Sequence, residues 1–338
     1  MPTRNTPDEK KSSTQIGESL DFVYQVAERA WKKGLSANFI AKDLGHAGDP
    51  KMIMAVKRAL RKAIDDGILV LNVPREDQLR DQLQRKWSRV DFTIVRNNLV
   101  APGDAVHIAA SDELADKIEK LWNTDKKTIV IANAGGHAVS ETVRYLHQKH
   151  RPVLNAAVEK RLVFISLNSA GRARKFQQSS NYLAVRLAEI YEGDHITMLG
   201  PTDTNTVTDK EYKHLIENID LLLCGAGGPD SLLAECAKEE GISLPSEMLG
   251  DLAFIPLDAN GRRVHEPRLQ AIIEKKLHTA PAYDEILRIT THPPRAVMVV
   301  LSGASKREIA SALLRGGLAS HLVLDLRLAQ YLVDLCTR

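Results

Sequence analysis

RAVMVVLSGASKREIASALLRGGLASHLVLD, residues 295–325, decides the fold. Its apolar run 296–301 is short and valine-rich, which suits a strand buried on both faces of a parallel sheet better than a free-standing helix. A glycine turn follows at Ser302 and Gly303. Ile309, Ala312 and Leu313 then recur at helical spacing, Gly316 and Gly317 stop the helix, and 321–325 returns as a second apolar strand. The stretch reads as a βαβ unit. In such units ligands bind beyond the carboxyl ends of the strands, so Gly303, Ser305 and Lys306 are expected at a mouth where backbone N–H groups and one cation meet an anion.

Working outward, the chain from about residue 91 alternates strands with helices, the signature of an α/β domain with a mostly parallel, doubly wound sheet. Strands are expected over 128–132, 162–167, 195–199, 220–225, 253–258, 296–301 and 321–325. Helices are expected over 111–122, 139–150, 180–191 and 232–240. The dipeptide Asn260 and Gly261 is a strong hairpin signal.

The first part of the chain is of another kind. Residues 1–18 are polar, with Pro2, Pro7 and a mixed-charge run, and read as a disordered arm. A helical pattern begins at Leu20 and ends near Gly34. Ser36 can cap a second helix, carrying Phe39, Ile40 and Leu44 and stopped by Gly45. Pro50 stands at the first turn of a third, whose stripe is Ile53, Val56, Leu60 and Ile64. Opposite that stripe stand Lys51, Ala55, Arg58 and Lys62, flanked by Met54, Lys57 and Arg61. The run 68–73 reads as a wing strand. Three helices and a wing make a winged helix-turn-helix over 19–74, whose third helix enters the major groove while basic side chains meet phosphates. Residues 75–90 read as a connector helix with Leu79, Leu83 and Trp87 along one side. That stripe either packs on the domain that follows, 91–338, or pairs with a second subunit.

Composition sets bounds. At 338 residues with 43% hydrophobic content, the chain can bury a core in each of two domains. A net charge of +3 decides nothing about nucleic acid, so a DNA-binding reading rests on local charge. Cys224, Cys236 and Cys336 lie far apart and fit reduced thiols in a cytoplasm. No apolar run approaches a membrane span, and the expectation is a soluble, intracellular protein. His147 and His150, one helical turn apart, have no third ligand in sight, so no metal is expected. No nucleophile elbow or paired acid stands out, so no catalytic residue and no cofactor is expected.

Gly303, Ala304, Ser305 and Lys306, followed by Ile309, Ala312, Leu313, Gly316 and a strand ending in Asp325, resemble the C-terminal segment of the SorC-type sugar-binding transcriptional regulators. That family's effector domain is related in fold to ribose-5-phosphate isomerase and glucosamine-6-phosphate deaminase. The N-terminal helices resemble it too, in Ser36, Ile40, Ala41, Leu44, Gly45, Val56, Arg58, Leu60 and Ala63, then Gly67, Ile68 and Leu69. Asp251, Asp258 and Gly261 match its hairpin run. One departure is the interval from Gly45 to Val56, longer than the family's, which implies an enlarged turn or an earlier start of the third helix.

Four strand ends compose the candidate effector site. After the first come Gly135, Gly136, His137 and Ala138, where the helix that follows offers free N–H groups. The family places hydroxyl residues where His137 and Ala138 stand here, so the usual phosphate grip is altered. After the second, Arg172, Arg174 and Lys175 suit a phosphate or carboxylate, and Asn181 matches a polar family position. Gly225 and Gly227 follow the third; their loop lacks the last glycine of a dinucleotide fingerprint, which argues against a nicotinamide site. Lys306 at the fourth resembles the family's phosphate partner. Asp251 either accepts a sugar hydroxyl or holds a turn. The resemblance implies a regulator whose affinity for double-stranded operator DNA, or whose oligomeric state as homodimer or homotetramer, is set by a sugar or sugar-phosphate effector. The alternatives are an isomerase or deaminase on the same sheet, and a regulator whose pocket has decayed.

Overall fold

The computed structural model describes residues 19–33, 37–66, 75–96, 104–149, 160–167, 176–197, 209–228, 230–276 and 282–337. The arm 1–18, Ser36, the expected wing at 68–73, Arg172, Arg174 and His150 lie outside them. The described residues of 1–72 form one compact unit, and those of 73–97 and 103–338 form another.

In the first unit, α1 (Leu20–Lys33), α2 (Ala37–Asp43) and α3 (Pro50–Asp65) enclose a core of Val23, Val26, Ile40, Val56, Ala59, Leu60 and Ala63. Gly45, with φ +85°, ends α2 as the amide of His46 reaches back to the carbonyl of Ala41 at 2.9 Å. Gly48 also takes positive φ, and Asp49 Oδ1 accepts from the Lys51 amide at 2.9 Å, with Pro50 at the first helical position. The long interval is therefore an enlarged turn, and the third helix begins at Pro50.

In the second unit, α4 (Asp77–Lys86) precedes β1 (Asp91–Val95), α5 (Asp104–Trp122), β2 (Thr128–Asn133), α6 (His137–Lys149), β3 (Arg161–Ser166), α7 (Ser180–Tyr191), β4 (Asp194–Ile196) and α8 (Asp209–Glu217). Then come β5 (Leu221–Cys224), β6 (Ala226–Gly227), α9 (Leu232–Glu239), β7 (Gly250–Leu252), β8 (Ile255–Leu257), α10 (Pro267–Lys276), α11 (Tyr283–Thr291), β9 (Ala296–Leu301), α12 (Arg307–Gly316), β10 (His321–Asp325) and α13 (Leu326–Thr337). Seven strands form one wholly parallel sheet in the order β1-β10-β9-β5-β2-β3-β4. Every residue of β5, β9 and β10 is buried, as strands covered on both faces require. Side chains of α5, α6 and α7 fill the core on one face, and those of α4, α8, α11, α12 and α13 fill it on the other. From β2 the chain steps outward to β3 and β4, returns to place β5 on the other side of β2, and continues through β9 to β10. The winding direction reverses between β2 and β5, and that crevice is where a doubly wound sheet takes a ligand.

One open alternative is decided here, and one expectation changes. The connector's Leu83 is fully buried in the sheet's core, with Leu79 and Trp87 packed against it, so its stripe belongs to the second unit. The single strand expected over 253–258 is a hairpin. Leu252 pairs with Ile255 across a turn at Ala253 and Phe254, whose φ values are +48° and +65°. Non-glycine residues rarely take that conformation, so an apolar run containing such a turn reads as continuous strand. The turn at Asn260 and Gly261 follows directly: the Asp258 amide donates to Arg262 O and the Val264 amide to Pro256 O.

Candidate functional site

A cavity of about 450 Å³ opens at the carboxyl ends of β2, β5 and β9. Its first wall is the turn from β2 into α6. A Cβ on Gly135 would lie 2.7 Å from Gln178 O and 3.2 Å from Ser180 N, so only glycine lets the turn lie against the segment before α7. The Gly136 amide donates to Gln178 O at 2.8 Å, with φ +113°. Ser180 locks the same corner: its hydroxyl donates to Asn133 O at 2.6 Å and accepts from the Leu167 amide at 3.0 Å. His137, Ala138 and Val139 then open α6 beside the cavity, with first-turn N–H groups that have no partner within the helix.

The opposite wall is the loop after β5 with the β7–β8 hairpin. Gly227 lies so close to Asp251 that an added Cβ would sit 2.3 Å from Oδ1. The Asp251 side chain, 5% exposed, accepts the Phe254 amide on Oδ2 at 3.2 Å and so holds the strained turn. Burial pushes its carboxyl pKa up, opposed by hydrogen bonds from Ser231 and the Phe254 amide and by the Lys306 charge. Lys306 reaches across from the end of β9, its Nζ donating to Ala226 O at 2.9 Å. The Gly303 amide, expected to meet an anion, donates instead to Asp325 Oδ2 at 2.6 Å.

Thus Gly135, Gly136, His137, Ala138, Gly225, Gly227, Asp251 and Lys306 share one cavity. Asn181 is not among its lining residues. Its side-chain carbonyl accepts from Ser166 Oγ at the end of β3, because the first turn of α7 faces the sheet there. Sequence reasoning missed His107, which lines the cavity from α5 and is 4% exposed. Its ring meets that of His137 edge to face, with centroids 5.6 Å apart and planes at 83°. Burial, then the charge of His137, lowers the His107 pKa to about 4. A lone histidine among Ala105, Val106, Ala109 and Ala110 carries no sequence signal that separates it from core. No group of three metal-ligating side chains occurs among the described residues, and none of their helices is long and apolar enough to cross a membrane.

On α3 the outward residues are Lys51, Met54, Lys57 and Arg61. Ala55, expected on that face, is only 1% exposed, and Arg58 and Lys62 are half-buried, Lys62 with its Nζ 3.0 Å from Asp66. The wheel is turned because α1 and α2 both pack against α3, and the wider buried face takes in Ala55, Ala59 and Ala63.

No family model and no curated protein matches the sequence. Solved structures do match by fold. The full-length sorbitol operon regulator SorC of Klebsiella pneumoniae is 16% identical with a TM-score of 0.55, and the match covers 93% of this chain and 98% of that one. A transcriptional regulator from Streptococcus pneumoniae TIGR4 is 15% identical, TM-score 0.57, over 78% of this chain and 98% of that one. A DeoR family transcriptional regulator from Listeria monocytogenes is 16% identical, TM-score 0.56, over 75% and 98%. At such identities the likeness is one of fold.

Proposed function

We propose that this chain is a DNA-binding transcriptional regulator and that a sugar or sugar-phosphate effector in the β2–β5 cavity sets its operator affinity or oligomeric state. One observation carries the reading. A three-helix unit presenting Lys51, Lys57 and Arg61 outward shares a chain with a parallel sheet whose cavity lies at its winding reversal, and a full-length sorbitol operon regulator matches 93% of that chain by fold. The third helix, α3, would enter the major groove of double-stranded operator DNA, its cations meeting phosphates, with Arg58 at the edge of the same surface. Helix-turn-helix proteins commonly bind two half-sites about one helical turn apart, which favours a homodimer or a tetramer built from dimers. Such a regulator works in the cytoplasm, where Cys224, Cys236 and Cys336 stay reduced.

Effector and DNA are coupled only through differential affinity. A ligand alters operator binding by as much as it prefers one state over the other, and DNA alters ligand affinity by the same factor. The test is DNA affinity across a salt series, on fragments from around the gene, with and without a panel of sugars and sugar phosphates. A steep salt slope with effector-dependent affinity is the expected result. Absence of DNA binding at low salt would overturn the proposal and direct attention to isomerase and deaminase assays.

A further inference from the structure

His107 and His137 make one wall of the cavity unlike the rest. His107 Nδ1 has no hydrogen-bond partner among the described residues, although the ring is buried, and His137 stands exposed at the start of α6. Of the hydroxyls lining the cavity, Ser180, Ser231 and Ser302 have protein acceptors, and Ser179 keeps its proton. Ser179 accepts from the Tyr182 amide at 3.2 Å, Ser231 from the Ala234 amide at 3.3 Å, Ser180 bridges Asn133 and Leu167, and Ser302 donates to Asp325. What faces the cavity beside α6 is therefore a pair of imidazoles, the helix's first amides and the Ser179 hydroxyl, and the Lys306 ammonium lines the same cavity.

We infer that the His107 and His137 pair is the anion-recognising element of this cavity, and that it takes the anionic group of a sugar acid or sugar phosphate together with a proton. The inference rests on the cavity being the effector site and adds the ligand's charge and the proton it carries in.

A neutral imidazole offers one donor, and a protonated one offers two and a charge. Among the protein's own groups the balance favours neutrality for His107. His137 and Arg144 on α6 repel its proton, Glu141 attracts it, and burial outweighs all three. Behind α5, Val95, Val300 and Val323 of the sheet are apolar. The remaining charged groups around the cavity are Asp230, Asp251 and Lys306. An anion seated over the first turn of α6 places an opposite charge beside the His107 ring, and an opposite charge within about 4–6 Å raises a cationic group's pKa by roughly 1–3 units. Binding then draws in protons. Affinity is highest in acid, falls as pH rises from the free-state towards the bound-state pKa, and levels off above the latter.

Isothermal titration of the full chain with gluconate, glucose 6-phosphate and uncharged sorbitol tests this, each at about pH 5.5 and about pH 7.5, which bracket an ordinary histidine. Two buffers of different ionisation enthalpy report the protons taken up. Gluconate keeps its charge throughout, because carboxylates titrate near about 4. The phosphate ester titrates near about 6, so its own proton is subtracted. The expected result is that at least one anion binds roughly fivefold or more tightly at the lower pH with net proton uptake, and that His137→Gln weakens binding of that anion at the lower pH. The arm that shows it distinguishes sugar acid from sugar phosphate. His107→Gln removes the proton uptake in a variant that thermal unfolding shows to be folded, while the exposed His137 supplies a variant that packing does not threaten. Anion binding without proton uptake, or affinity unchanged in His137→Gln, would overturn the inference. So would failure of both anions at the lower pH while sorbitol binds, which leaves the cavity reading intact. Failure of all three overturns both.

Discussion

Replacing Gly227 with alanine tests how tightly the far wall of the cavity is built. Gly227 pairs with Asp251 across β6 and β7. The new Cβ would fall 2.3 Å from Asp251 Oδ1 and 2.4 Å from Ser231 Cβ, more than about 1 Å inside ordinary contact. Neither neighbour can retreat freely. Asp251 holds the Phe254 amide in a turn with two positive φ values, and Ser231 caps α9 through the Ala234 amide. Overpacking costs about 1–3 kcal/mol and a lost buried hydrogen bond about 1 kcal/mol more, giving an expected loss of about 2–4 kcal/mol. A domain with roughly 5–15 kcal/mol of stability survives that loss. In urea the unfolding midpoint of the sheet-bearing unit should fall by roughly 1 M at an m value near 3 kcal/mol/M. Gly228→Ala is the control, because its added Cβ meets nothing nearer than Ser305 O at 3.8 Å and Lys306 Nζ at 3.9 Å, so it should stay within about 0.5 kcal/mol of the parent. Equal midpoints for the two variants would refute the packing argument.

Lys306→Ala removes the ammonium that donates to Ala226 O and should weaken the effector response without weakening effector-free DNA binding; equal loss of both in a folded variant would count against it. Lys57→Ala, on the outward face of α3, should lower the slope of log affinity against log salt by about 0.9, and an unchanged slope would take Lys57 out of the interface. Leu83→Ala should destabilise the sheet-bearing unit by about 2–5 kcal/mol in urea unfolding, because the side chain is wholly buried in its core. Acid should weaken the fold. The folded chain keeps His107 neutral down to about pH 4 and His321 neutral to well below its ordinary range, while the unfolded chain protonates both below about 6.5. Stability is then full above the unfolded value and falls as pH drops, by roughly 3 kcal/mol for His107 over that window, and a flat profile between pH 7 and pH 4 would refute it.

The βαβ unit was legible because its signals are local. A valine-rich run, a glycine turn, an amphipathic helix and a glycine stop fix β9, β10 and the end of α12 to within a residue. Features that depend on what packs opposite were not legible. Alanine is silent in a polar-apolar pattern, so the wheel of α3 was drawn one residue away from the face that α1 and α2 bury. The turn at Ala253 and Phe254 has no glycine to announce it, since its conformation is held from outside by Asp251. His107 looks like core until α6 brings His137 to its ring. Loop glycines point to the end of the sheet where the cavity opens, but which of the strand ends line it depends on side chains distant in sequence.

That last point accounts for where the cavity lies. At the amino ends of the strands, charge is paired within the fold: Asp220 beneath β5, 1% exposed, accepts from Lys126 and the Val130 amide, with Arg295 at 3.8 Å. At the carboxyl ends, among the described residues, β2, β5 and β9 each lead through glycines into a helix. Beside β9 and β10 an anion is supplied by the chain itself. Asp325 takes the Gly303 amide and the Ser302 hydroxyl on Oδ2 and caps α13 through the Leu328 amide at 2.9 Å on Oδ1. That carboxylate satisfies the Gly303 amide, and Lys306 donates to Ala226 O and lines the cavity on the other side of β9. Between β2 and β5 no described side-chain carboxylate takes that place. The first turn of α6 opens on the cavity there, with the imidazoles of His107 and His137 beside it.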